Sequence, residues 1–401
     1  MKTVRFLFAA MVCMVLLTGS LVEAGDKPTF DYKLYGYFKL DGSYDQNTTS
    51  HGNFVMWVNP QTTTDNDAQY NMTANQTRFG IKVNSKDYEQ LNFFGNLEFD
   101  LYGGVTGATV AQNKALLVTR HAYFSIQTGN TKVLAGQTWD MVSPLHAPTL
   151  NYPVLWGCGN LGYRRPQISL WQKVNFESGG ELTLAGGFFR TIGNDLTPTV
   201  NITLATAATD TIPDGQDDGT NSAIPSFQGL IDYKHKFQSG TSIRFGCSGL
   251  WGQLKAENSS RNTSENYESW AAAGHFWVSV PSGWGLSGEV YSGQNLGVYN
   301  GGINNGSTLT GVASLGFWGA TWFKPMPTWQ FTTGYGMDDP EDADLAAGAR
   351  CHNSCIFGNV KYFIIPQAYV GLEVSQWQTE YKGTADKAKN LRLQSSFQMS
   401  F

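Results

Sequence analysis

The sequence is poor in charged residues. Asp, Glu, Lys and Arg make up only 15% of its 401 residues, whereas an ordinary globular domain carries roughly 25%. The net charge is −5 and no basic cluster occurs, which argues against nucleic acid as a partner. None of the six histidines lies in a recognisable nucleophile motif, so we expect neither catalytic residues nor an enzyme.

Long apolar runs are also missing, except near the N-terminus. There, Lys2 and Arg5 precede an apolar stretch over 6–17, and small residues follow up to Ala24. These are the features of a secretory signal peptide, whereas a membrane-spanning helix needs about 20 apolar residues. We therefore predict a signal peptide over 1–24 and a single mature domain over 25–401.

Cysteine is scarce, with five residues in the whole chain. Cys351 and Cys355 flank His352, which offers three metal ligands where a structural zinc site needs four. We therefore expect no metal and no cofactor. In a secreted chain, a disulfide between Cys351 and Cys355 is the favoured interpretation, with free thiols as the alternative. Cys247 alternates with apolar residues and is expected to face lipid.

Glycine and aromatic residues, by contrast, are abundant. The chain has 45 glycines and 13% aromatic residues, yet its mean hydropathy is only −0.27. The C-terminal segment 391–401 alternates strictly between apolar and polar side chains, which indicates a strand with one face of each kind. A barrel that is apolar outside and polar inside accounts for this composition, with glycine at turns and aromatics at the membrane interfaces.

Alternation and turn signals predict sixteen strands. They lie near 32–45, 73–84, 90–102, 114–128, 131–138, 164–175, 180–191, 225–237, 241–254, 266–280, 284–297, 307–323, 326–338, 353–363, 367–381 and 386–401. The connections alternate between short turns and long loops, as they do in outer-membrane barrels. We therefore predict an all-β fold, a transmembrane antiparallel β-barrel of 16 strands.

Six short stretches, together with the terminal Phe401, resemble trimeric general outer-membrane porins, most closely the DcaP-like family. They are 35–41, 76–80, 96–100, 120–123, 136–139 and 164–168. The resemblance implies a homotrimer in the outer membrane of a Gram-negative bacterium, in contact with lipid and lipopolysaccharide. It also implies that the third long loop, 139–163, folds into the lumen as a constriction loop, and that small dicarboxylates are the solutes.

The alternation also predicts which charges face the lumen, because an Arg or Lys facing lipid at mid-membrane costs about 2–4 kcal/mol. The predicted pore-lining residues are Lys39, Arg78, Lys82, Glu98, Asp100, Arg120, Arg165, Arg244 and Arg392. One contiguous wall is predicted to carry five of the basic residues, Arg392, Lys39, Arg78, Arg120 and Arg165. The constriction loop, with Asp140, Tyr152 and Trp156, would face this wall. A passive porin for small polar solutes that prefers anions is therefore predicted.

Three alternatives remain open at this stage. The inward arginines could simply brace the wall by pairing with Glu98, Asp100, Asp41, Glu289 or Glu373. Aromatic residues in the long loops, including Trp57, Trp156 and Tyr152, would also suit a pore that favours sugars or nucleosides. The barrel could instead be a structural or adhesive protein that displays its long loops at the cell surface.

Overall fold

The chain is described by a computed structural model that covers residues 29–61, 67–85, 90–103, 115–194, 196, 217–258 and 263–401. The predicted signal peptide lies outside these residues. The strands are β1 (Phe30–Asp45), β2 (Gln69–Thr73), β3 (Arg78–Ser85), β4 (Asn92–Gly103), β5 (Leu116–Thr128), β6 (Thr131–Trp139), β7 (Arg164–Asn175), β8 (Gly180–Phe189), β9 (Ser226–Lys236), β10 (Ser242–Asn258), β11 (Thr263–Ser279), β12 (Trp284–Gln294), β13 (Ala313–Met326), β14 (Trp329–Pro340), β15 (Arg350–Ile365), β16 (Ala368–Tyr381) and β17 (Ala388–Ser400).

Helical structure is confined to short turns in the described residues. They are α1 (Asp218–Asn221) and three 3₁₀ turns at Gly297–Tyr299, Gly302–Asn304 and Asp342–Asp344. Within the described ranges, no helix has the length and apolarity to cross a membrane.

The strands form one closed antiparallel sheet. From β3 to β17 each strand pairs with the next in sequence, and β1 closes the sheet by pairing with β17. β2 and β3 both pair with β1 and are two segments of one strand, interrupted by a turn at 74–77. The sheet therefore has sixteen strand positions, which confirms the predicted fold. Closure leaves no unpaired edge, so the backbone hydrogen bonds are satisfied in lipid.

The alternation of apolar and polar residues separates the two faces of the barrel. Apolar side chains such as Phe38, Phe124 and Phe397 are more than half exposed on the outside. Their neighbours in sequence point inward and are polar; Lys39 and Ser396, for example, are almost fully buried. The low charge content follows from this geometry, because the outer face of a membrane barrel admits few charges.

The connections alternate in length, with two departures from the prediction. The tight turns that the structure describes span 129–130, 176–179, 237–241, 280–283, 327–328 and 366–367. A long loop was expected over 255–265, but β10 continues to Asn258 and β11 begins at Thr263, so both strands are longer than their alternation indicated. The strand expected from 307 begins at Ala313, since 295–312 instead contains two 3₁₀ turns.

Three long loops turn into the barrel and form its interior core with the wall. They are 46–61, 140–163 and 295–312, and each buries apolar side chains: Val55, Val58, Leu155, Leu161, Tyr299 and Ile303 are at most 2% exposed. We refer to 140–163 as the inward loop. It follows β6 and therefore fits the predicted constriction loop, except that Trp139 is the last residue of the strand.

Candidate functional site

All nine residues predicted to line the pore project from the inner face of the wall. Arg78 pairs with Asp100 across β3 and β4, and Lys82 pairs with Asn96 on the same face. Most of the nine are buried beneath the loops that fold inward. Arg78 and Arg244 keep about a fifth of their side chains exposed, at 21% and 23%.

Four of these basic residues are neutralised by an adjacent carboxylate. The nitrogen–oxygen distances are 2.6 Å for Arg392 and Asp45, 3.2 Å for Lys39 and Asp41, 2.8 Å for Arg165 and Asp140, and 2.7 Å for Arg244 and Asp232. Asp140 is therefore committed to Arg165 and adds no free charge to the inward loop. At these four positions the basic residues brace the barrel, as the alternative interpretation expected.

Arg120 lies at the centre of a denser group of charges. Its Nε lies 2.8 Å from Glu98 Oε1, and its Nη1 lies 2.7 Å from Asp100 Oδ2. Glu98 is shared with Arg78, whose Nε lies 3.4 Å from Oε1. Tyr152 of the inward loop contacts Asp100 through its hydroxyl at 3.2 Å. The loop and the wall therefore meet at this group.

A β-bulge explains how Arg120 reaches the lumen. Glu98 pairs with His121 and Phe99 pairs with Thr119, so Arg120 is an extra residue in β5. A bulge lets two consecutive side chains leave a strand on the same side. Arg120 and His121 are both buried inside the barrel as a result, which strict alternation does not allow.

Arg164 is a candidate site residue that the sequence did not predict. Alternation along β7 places Arg165 inward and so assigns Arg164 outward, but Arg164 is the first residue of the strand and is 3% exposed. None of its three guanidinium nitrogens has a hydrogen-bond partner among the described residues. Its guanidinium instead stacks on Trp139 and Tyr163, at 4.8 and 4.5 Å from the ring centroids. In the sequence, the neighbouring Tyr163 was the one feature that could have indicated this stacked position.

We call Arg78, Arg120, Arg164, Trp139, Tyr152 and Tyr163 the arginine–aromatic cluster. Its three guanidinium groups face two carboxylates, Glu98 and Asp100, so one positive charge is in excess. His146 of the inward loop packs on Trp139 at 4.5 Å. His146 is exposed there, and the excess charge is that of the arginines.

Glu289, on the wall across the barrel from the cluster, holds the first part of the inward loop. It accepts hydrogen bonds from the Leu145 backbone nitrogen at 2.8 Å, the Ser143 hydroxyl at 2.7 Å and the Trp318 indole at 3.0 Å. Among the described residues it forms no ion pair with an arginine, contrary to the bracing role expected for it. Backbone N–H groups of the loop take the place of a basic partner.

Glu373 and Asp338 hold the rest of the loop in the same manner. Glu373 accepts from the Leu150 backbone nitrogen at 2.6 Å. Asp338 is fully buried and accepts from the Gly159 backbone nitrogen at 2.7 Å, the Tyr291 hydroxyl at 2.7 Å and the Ile303 backbone nitrogen at 3.1 Å. The expected pairing of Glu373 with an arginine is likewise not found among the described residues.

A basic cavity lies beside the cluster, towards the short turns. Its volume is about 390 Å³, and Trp139 and Tyr163, the rings that hold Arg164, form part of its wall. Its charged lining consists of Lys132, Lys173, Lys234, Arg244, Asp140 and Asp232. Four basic groups therefore line this cavity against two acidic ones, and one of the four, Lys173, also pairs with Glu181 at 2.8 Å.

The disulfide predicted between Cys351 and Cys355 is wrong. Both thiols are free. The two residues lie on the single strand β15, where four steps span roughly 13 Å, whereas disulfide-bonded Cα atoms lie about 4.4–6.8 Å apart. Cys247 is exposed on the outer face, as expected. No three metal-ligating side chains come together in the described part of the chain.

Comparison with known proteins gives matches at the level of structure. No family model and no curated protein matches the sequence. The outer-membrane channel DcaP of Acinetobacter baumannii matches with a TM-score of 0.69 and 18% identity, over 94% of this chain and all of that one. An anion-selective porin from Comamonas acidovorans matches with a TM-score of 0.56 and 13% identity, over 93% and 100%.

A trimer form of OmpT, an outer-membrane protein of Vibrio cholerae, also matches, with a TM-score of 0.50 and 11% identity over 93% and 100% of the two chains. At these identities the likeness concerns the fold. The structural matches confirm the barrel fold expected from the sequence motifs. The chain has the fold of the sixteen-stranded outer-membrane porins.

Proposed function

We propose that this protein is an outer-membrane porin of a Gram-negative bacterium, similar to the DcaP-like family. It is a passive diffusion channel for small polar solutes that prefers anions, and dicarboxylates among them, and it is not an enzyme. The fold and the polar, basic interior support this proposal. The observation that carries the anion preference is Arg164, a buried guanidinium whose nitrogens have no acceptor among the described residues.

A buried cation without acceptors is unfavourable, because burial removes the water that would otherwise solvate it. A carboxylate that passes Arg164 supplies two acceptors in the geometry that a guanidinium binds best. The basic cavity beside Arg164 provides charge for a second carboxylate. Since the rings of Trp139 and Tyr163 already stabilise the guanidinium, the anion need not bind tightly, which is a requirement for passage.

The test is the reversal potential of the purified protein in a planar bilayer under a potassium chloride gradient. We expect a shift towards the chloride potential and a concentration-dependent block of the current by succinate. Replacing Arg164 with glutamine removes an excess charge and should weaken the succinate block about tenfold, as expected for a charge-assisted hydrogen bond of about 1.5 kcal/mol.

Arg190→Gln is the matched control, because Arg190 directly follows β8 at the same end of the barrel as Arg164, yet its side chain is exposed. This variant should keep the selectivity and the block of the parent protein. A parent channel that selects potassium, or an Arg164→Gln channel with unchanged selectivity and block, would contradict the anion proposal. A correctly inserted protein with no conductance would favour a surface-display barrel.

The structure gives less support to a pore for sugars or nucleosides. Such a pore needs exposed ring faces, because apolar sugar faces pack against them. Trp156 is 5% exposed, and the ring of Trp57 is covered by Arg350, whose guanidinium lies 4.2 Å from its centroid. The rings of Trp156 and Trp57, two of those that suggested this alternative, are therefore covered and offer no free face to a sugar.

A homotrimer surrounded by lipid and lipopolysaccharide completes the proposal. The apolar outer face and the trimer form of a structural relative support it. Mass measurement of the detergent-solubilised protein should give three times the mass of the chain, and a monomer under native conditions would contradict it.

A further inference from the structure

Two thiols that the arginine–aromatic cluster does not use lie together at the far end of the inward loop. Cys158 belongs to the inward loop and Cys355 to β15. They are 0% and 1% exposed, and they belong to one apolar cluster with Leu155 and Trp318. Because the two residues are far apart in sequence, only the folding of the loop into the barrel brings them together.

Gly336 allows Cys158 to reach the wall at this point. A Cβ on Gly336 would lie 2.2 Å from the Cys158 carbonyl oxygen, so the loop backbone rests directly on this glycine. Gly336 is paired with Cys355 across β14 and β15. Residues paired in this way have Cα atoms about 4.5–5.5 Å apart, and Cys158 therefore sits over the neighbour of Cys355.

The position of the Cys158 sulfur also places this residue next to Cys355. Its Sγ donates to the Gly336 carbonyl oxygen at 3.1 Å and lies 3.9 Å from the carbonyl oxygen of Asn353. Asn353 and Cys355 are alternate residues on the inner face of β15. Burial, and next the neighbouring Cys355, raises the pKa of the Cys158 thiol well above its ordinary value.

Both thiols are free in this structure; we propose that Cys158 and Cys355 form a disulfide in the oxidised mature protein, which fastens this part of the inward loop to the barrel wall. Among the described residues they are the two cysteines in one cluster, since Cys247 is on the outer face and Cys351 lies nearer the end of β15. The inference rests on the proposed function only in placing the chain in an oxidising compartment.

The bond would form by exchange with a protein disulfide donor. One cysteine thiolate attacks the donor disulfide, which gives a mixed disulfide and releases one donor thiolate. The second cysteine thiolate attacks the mixed disulfide, forms the Cys158–Cys355 bond and releases the other donor thiolate. Two electrons pass to the donor, and the two cysteine protons end on its thiols. The folded site raises the pKa of the Cys158 thiol, and a protonated thiol is a poor nucleophile. We therefore expect the exchange to take place before the loop is buried in the barrel.

The test is a count of free thiols in full-length protein isolated from membranes without reductant. The protein is unfolded in N-ethylmaleimide and its intact mass is measured. Four cysteines follow the predicted signal peptide; we expect two maleimide adducts before reduction and four after it. Proteolysis without reduction should give a linked pair of peptides that contain Cys158 and Cys355.

Two variants distinguish this pairing from others. A chain with Cys247→Ser and Cys351→Ser should keep the linked peptides, and Cys158→Ser should lose them. Four adducts in the unreduced parent protein, or a link that involves Cys351, would overturn the proposal. These masses do not depend on conduction, so the disulfide can fail while the pore is retained, and the reverse is equally possible.

Discussion

Replacing Arg120 with alanine is expected to lower the free energy of unfolding by about 3–5 kcal/mol, the usual result of removing one partner from a buried ion pair. Glu98 and Asp100 are 6% and 0% exposed, and without Arg120 they lose their closest cationic partner. The same change removes the excess positive charge of the arginine–aromatic cluster. We therefore also expect the chloride preference to fall, measured as a smaller reversal potential, while the urea midpoint of the barrel decreases.

Two control variants separate the charge from the geometry. Arg120→Lys keeps the charge but cannot donate hydrogen bonds from one planar guanidinium to both acids. We therefore expect a reversal potential close to that of the parent protein and a lower urea midpoint. Arg120→Met combined with Asp100→Asn leaves Glu98 paired with Arg78 and no buried carboxylate without a basic partner, and it should recover much of the lost stability. An Arg120→Ala protein with the urea midpoint of the parent would show that the cluster is not a stabilising unit.

Replacing Asp338 with alanine is expected to release the part of the inward loop around Gly159 from the barrel wall. The backbone nitrogens of Gly159 and Ile303 and the hydroxyl of Tyr291 would each lose their acceptor, and an unsatisfied buried donor costs about 1–3 kcal/mol. The barrel should still form, because Asp338 lies near the end of β14. We expect a larger and noisier single-channel conductance, and cleavage of the inward loop by chymotrypsin.

Asp339→Ala is the matched control for this change. Asp339 is the next residue, is half exposed, and contacts His352 at the surface. Its removal should leave both conductance and protease resistance unchanged. If Asp338→Ala has the conductance of the parent protein, the loop is held by its apolar contacts and not by the carboxylate.

Much of the barrel could be predicted because strand alternation is a local property. A one-residue shift would turn every apolar side chain of a strand into the lumen, so the inward positions of Arg78 and Arg165 follow from their neighbours. The ends of β10 and β13 were less predictable. The sequence of 307–312 alternates well enough for a strand, but the chain there folds inward.

The details of the site depend on contacts between distant segments. Nothing local to Glu289 or Glu373 indicates that loop N–H groups, and not arginines, would be their partners. Arg164 escaped the alternation rule because it stands where the loop becomes a strand. The cysteine spacing was misleading for a related reason, since residues that look close in sequence are far apart once a strand extends them.

The bulge in β5 has a consequence for how this barrel can change over evolutionary time. Arg120 is the inserted residue, with Thr119 and His121 in regular register on either side. An in-frame loss of this single codon would restore plain alternation and remove a guanidinium from the interior without turning any other side chain over. The charge of the lumen can in this respect change by one codon without a change of strand register, and the cost falls on Glu98 and Asp100, which lose their closest basic partner.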